Sequence, residues 1–161
     1  MIKVTVFARF KTCMGDVNLI DVLSDIRNGK YATSINRIRA CMDKGDLEAA
    51  DMLKKALPAI TISATYRGQR LVEYMTAYNP LIILDFDDLK KEDLPHLLAL
   101  VREAVYTVAC WISPRGHGIK VIVYPVVGLE LVPQNHPAIY KRVKDWYQRL
   151  LGTKADTSGS D

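Results

Sequence analysis

Val4, Val6 and Ala8 alternate with Thr5, Phe7 and Arg9, and this period of two predicts an opening strand over residues 2–10. The period then changes to that of a helix. Leu19, Val22, Leu23 and Ile26 share one face behind a capping Asn18, with Gly29 as the stop. Residues 32–43 set Ile35, Ile38 and Met42 in a second stripe. Asp46 caps a third helix, LEAADMLKKAL, which Pro58 ends. Strand character returns at Ile60–Thr65 and closes at Tyr66-Arg67-Gly68.

The second half has a different texture. Leu81-Ile82-Ile83-Leu84 is a continuous apolar run, which suits a strand covered on both faces. A charged KKED segment leads into a helix over 93–104 carrying Leu94, Leu97, Leu98 and Val101. Tyr106–Ile112 and Ile119–Tyr124 read as strands joined by the turn Ser113-Pro114-Arg115-Gly116-His117-Gly118. Asn135 caps a last helix that runs to about residue 151, with Ile139, Val143, Trp146, Tyr147 and Leu150 at helical spacing. The order β-α-β-β-α is the first five elements of a ferredoxin-like, RRM-like unit. The fold expected is therefore α+β. One domain spans 1–152, made of a mainly helical N-terminal αβ unit over 1–80 and an RRM-like βαββα unit over 81–152. A polar tail follows over 153–161, with the fourth strand truncated. The two units are expected to wall a common cleft.

Composition narrows the class. The 161 residues are 49% apolar and 25% charged, which suits a self-sufficient core and excludes wholesale disorder. A formal charge of +4 admits a polyanionic partner without requiring one. Cys13, Cys41 and Cys110 are far apart and form no CxxC, which argues against a disulfide scaffold or zinc finger and for a reducing cytoplasm. There is no signal-peptide core and no apolar run of bilayer length, so no membrane partner is expected.

Two segments carry candidate chemistry. In Leu84-Asp85-Phe86-Asp87-Asp88, two carboxylates one residue apart at a strand end share a face. Paired hard oxygens suit Mg²⁺ or Mn²⁺ when waters and phosphates complete the shell. Alone, such a pair merely opens the turn before a helix, with Asp88 as its cap. At the end of the first strand of an RRM-like unit, metal binding is favoured. In SPRGHG, two glycines admit backbone N–H groups to an anion, and Arg115, His117 and Lys120 add positive charge. Alone, this turn reads as a hairpin with exposed basic residues. Its strands are expected to lie beside the one carrying Asp85 and Asp87. Arg67 and Arg70 follow a strand end and are candidates for contact with nucleic-acid phosphates. His96 and His136 are read as facing solvent, and Cys110 and Trp111 as sheet core.

With these residues in view, LPAITISATYRGQR, NPLIILDFDDL, WISPRGHGIKVIV and ADTSGSD, in that order, resemble the VirE N-terminal domain family. These are primase-like domains of mobile-element proteins in the archaeo-eukaryotic primase superfamily. The resemblance implies a primase palm in which Asp85, Asp87 and Asp156 are catalytic and hold Mg²⁺ or Mn²⁺. It implies that Ser113, Arg115, Gly116, His117 and Lys120 bind the nucleotide, with Lys120 standing where a His is usual. The activity implied is primase-polymerase-type nucleotidyl transfer, making or extending primers from nucleoside triphosphates on single-stranded DNA. A helicase-like C-terminal domain is the further partner it implies. The alternative is an inactive nucleic-acid-binding or helicase-docking module that keeps the fold.

Overall fold

In the computed structural model, which describes residues 1–9, 11–126 and 128–156, five α-helices and three small antiparallel sheets make an α+β fold. The chain divides into two compact units, Met1–Asn79 and Pro80–Asp161. Phe10, at the end of the expected first strand, lies outside the described residues, as does the expected polar tail from Thr157 onward.

In the first unit, β1 (Lys3–Ala8) pairs on one side with β2 (Thr12–Asn18) and on the other with β3 (Ala59–Thr61). Between them run α1 (Leu19–Arg27), α2 (Ala32–Asp43) and α3 (Leu47–Lys55). Asp46 caps α3 as its position demands, its Oδ1 accepting from the Ala49 N–H at 3.0 Å. Asn18 does stand before α1, but its amide donates to the Asp21 carboxylate instead of capping the backbone.

The strand expected over 60–65 is two strands in two sheets. It bends after Thr61, and β4 (Ala64–Tyr66) pairs with β5 (Met75–Tyr78). Buried side chains hold the bend. The Thr61 hydroxyl donates to the Ala64 carbonyl at 2.8 Å, and the Asn79 amide donates to the carbonyls of Lys3 and Ile62 at 2.7 and 3.0 Å. These bonds satisfy carbonyls that a continuous ladder would have paired.

The second unit is a split β-α-β arrangement. Strand β6 (Ile82–Phe86), helix α4 (Leu94–Glu103) and strand β7 (Thr107–Ile112) form the crossover. Strand β8 (Ile119–Val123) lies between β6 and β7, antiparallel to both. Helix α5 (His136–Leu151) follows. One sheet face builds the core: Ile82, Leu84 and Phe86 of β6 and Ile119, Val121 and Val123 of β8 pack with Leu98 and Val101 of α4 and Ile139, Val143 and Tyr147 of α5. Alternation then turns Ile83, Asp85, Lys120 and Ile122 to the second face.

After α5, Gly152 adopts the left-handed conformation (φ 64°) that commonly ends a helix. The chain then returns along the edge of β6 that no other described strand occupies. The Ala155 N–H donates to Gln148 Oε1 at 2.9 Å, the Tyr140 hydroxyl to the Asp156 carbonyl at 2.8 Å, and the Asp156 N–H to the Asp85 carbonyl at 2.8 Å. No helix of the described residues is long and apolar enough to cross a membrane.

Candidate functional site

Two rows of side chains run across the second face of the β6-β8-β7 sheet. The register sets Asp85 opposite Lys120, and Lys120 opposite Trp111. Because the Asp85 carbonyl accepts from Asp156, it points away from β8. Asp85 and Lys120 are therefore a non-hydrogen-bonded pair, the kind in which facing side chains come closest. Lys120 Nζ forms an ion pair with Asp85 Oδ2. The two side chains are only 23% and 19% exposed, so solvent screens this pair less than a surface one. The other carboxylate oxygen, Asp85 Oδ1, is buried with no hydrogen-bond partner among the described residues.

The next row is built around Gly118. A Cβ there would lie 2.5 Å from the Phe86 carbonyl oxygen, 2.9 Å from Asp87 Oδ1 and 3.0 Å from Ser113 Oγ. Any side chain would collide with the β6 backbone. Glycine lets the strand ends draw together, so that the Asp87 carboxylate and the Ser113 hydroxyl bracket the same point. Ser113 is buried there, and its N–H donates to the Gly118 carbonyl at 2.8 Å.

The turn between β7 and β8 is tied down from both sides. The Gly116 N–H donates to the Ser113 carbonyl at 3.0 Å, with Gly116 at φ 83°. The His117 carbonyl accepts from the Leu89 N–H at 2.8 Å, joining the turn to the segment that follows Asp87. In that segment Asp88 holds φ 56°, a left-handed conformation that Asp tolerates better than most residues. Arg115 and His117 are half-buried in the turn.

Asp85, Asp87, Ser113, Gly116, His117 and Lys120 thus occupy neighbouring strands and the turn that joins two of them. The backbone of Asp156 is fastened beside Asp85, and its side chain is exposed. Arg67 and Arg70 are exposed in the bend after β4, in the first unit. Three residues gain places that pattern reading did not give them. Trp111 is on the face opposite Cys110 and Ile112, which pack on the core, so it is not part of that core. Tyr140 reaches Asp156 from α5, and its hydroxyl is made less acidic by burial first, then by the charges of Asp156 and Asp85. His136 is buried, contrary to the solvent-facing expectation, and burial lowers its pKa. The signal for it was in the sequence: it stands three, four and seven residues before Ile139, Tyr140 and Val143, on the apolar stripe of α5.

Among the described residues, no three His, Cys, Asp or Glu side chains converge as a metal-binding group. An ion at Asp85 and Asp87 would complete its shell from water and ligand phosphates, as Mg²⁺ commonly does. The unpartnered Asp85 Oδ1 suits such an ion, since a buried carboxylate oxygen left without a donor is costly.

A family model described as BT4734-like, N-terminal domain, matches residues 52–161. Neither a curated protein nor a solved structure matches the chain. The BT4734-like match corrects the resemblance to the VirE N-terminal domain family, which is a different family. Roles carried over by that resemblance now rest on geometry alone. The match covers more than half of the chain, which therefore belongs to the BT4734-like N-terminal domain family.

Proposed function

We propose that the second unit handles nucleoside triphosphates in metal-assisted nucleotidyl transfer, making or extending primers on a single-stranded DNA template. The observation that carries this reading is the meeting of Asp87 Oδ1 and Ser113 Oγ at Gly118, one row from the unpartnered Asp85 Oδ1. Asp85 and Asp87 would hold Mg²⁺ or Mn²⁺, which when bound neutralises phosphate charge and acidifies an attacking hydroxyl. Asp156, fastened by its backbone beside Asp85, is the third acid of the proposal. The Ser113 hydroxyl donates to a phosphate oxygen. Gly116 and Gly118 add no side chain that would keep a phosphate away from the turn. Arg115, His117 and Lys120 balance the charge of the triphosphate. Arg67 and Arg70, exposed in their bend, would take template phosphates. A cytoplasmic setting accords with three free cysteines.

A second reading has its own observation. Lys120 already neutralises Asp85, which favours a non-catalytic nucleic-acid-binding module. Primer synthesis and extension on single-stranded DNA with labelled nucleotides separates the two. The transferase reading expects metal-dependent product from the natural sequence and none from Asp85→Asn/Asp87→Asn. Template binding without product, unchanged in that double variant, would leave the binding module standing.

A further inference from the structure

We propose that Trp111 is the base platform of this site, stacking on the nucleobase of the triphosphate whose phosphates lie at the Gly118 row. The inference rests on the phosphate reading above and adds to it the part of the ligand that the acids and the turn leave unheld.

Three observations place the ring. Cys110 and Ile112, its neighbours on β7, pack on the core, so alternation turns Trp111 to the second face. The register sets it directly across from Lys120, which faces Asp85. The strand irregularity of β7 falls between Thr107 and Ala109, upstream of Trp111, so the alternation is unbroken from Trp111 to Ser113. Trp111 and Ser113 therefore project on the same side, about 7 Å apart along the chain. That is a spacing a ribose bridges when phosphates sit at Ser113 and the base lies over the indole.

The chemistry of the residue supports this placement. Trp111 is half-buried, so the ring is partly held and partly accessible. A rigid ring loses little conformational freedom on contact, and every nucleobase offers it a π-face. Stacking selects for a base without selecting which one. A site of this kind distinguishes a nucleotide from a bare polyphosphate, something the charged residues of the Gly118 row cannot do.

The test reads the tryptophan itself. The chain has two, and Trp146 stacks edge-on with Tyr106 and Tyr147, so Trp146→Phe keeps an aromatic ring there and leaves Trp111 as the only indole. ATP and inorganic tripolyphosphate are titrated into this variant with Mg²⁺, by emission and by calorimetry. Stacking expects ATP to quench Trp111 and to bind about tenfold tighter than tripolyphosphate. Trp111→Ala should erase that tenfold gap without weakening tripolyphosphate, and Trp111→Phe should retain most of it. Equal affinity for the two ligands with unmoved emission overturns the stacking role and leaves the phosphate site intact. Failure of both ligands to bind a variant that melts like the natural sequence overturns the phosphate site, and the platform with it.

Discussion

Gly118 shows how much a single position decides. Removing its side chain brings a backbone carbonyl, a carboxylate and a hydroxyl to within about a van der Waals contact of one point. Gly118→Ala must push the Phe86 carbonyl or β8 aside, at a cost of about 1–3 kcal/mol by the usual penalty for overpacking. Denaturant unfolding measures this, and a variant as stable as the natural sequence would contradict the close approach. Lys120 has two effects that separate experimentally. It pairs with Asp85 and, in the proposed site, also faces the triphosphate. Lys120→Ala should therefore cost about tenfold in nucleotide affinity, the scale of a lost charge-assisted contact, while Mn²⁺ alone binds at least as well. Calorimetry of the ion and of the nucleotide, run separately, checks the split. The acid pair and the turn were legible in the sequence because strand alternation and glycine spacing are local. The Lys120–Asp85 pairing was not, because register between strands 35 residues apart is set by the sheet and not by either segment.

Helices were more legible than strands, for reasons visible in particular elements. α4 and α5 each bury one stripe, α2 buries Ile38 with Ile35 and Met42 half-buried beside it, and the limits of all three fall close to the pattern. β2 is mostly exposed, so its sequence TCMGDVN carries no alternation to read; it is a strand because it pairs with β1. β5 also buries little and is held by β4. The break between β3 and β4 depends on Asn79, a residue far along the chain. Helix α5 carries a titratable group on its buried stripe. His136 in its first turn is buried, and its pKa is lowered from 6.5. The unfolded chain thus binds a proton there more readily than the folded one. Stability should be full above pH about 6.5 and should fall as pH drops below it towards the depressed folded value. Melting against pH measures the slope, which His136→Leu should flatten in that window. An identical slope in the variant would mean that His136 does not titrate on unfolding.

At the scale of the whole molecule, the α+β class and the split β-α-β order were readable because element order and apolar patterning are enough to specify them. Family membership was not readable from the four motifs: they resemble the VirE N-terminal domain family, and the family model that matches is a different one. The second unit contains its own core, and every residue proposed for the metal and the triphosphate lies within it. The proposed function requires this unit to bind a nucleoside triphosphate through a divalent ion at Asp85 and Asp87. Calorimetric titration of ATP into the chain, with and without Mn²⁺, and again into Asp85→Asn/Asp87→Asn, tests it most directly. Binding that needs Mn²⁺ and disappears in a double variant of unchanged fold is the expected result. Equal binding with and without the ion, or in both proteins, would contradict a metal site at these carboxylates.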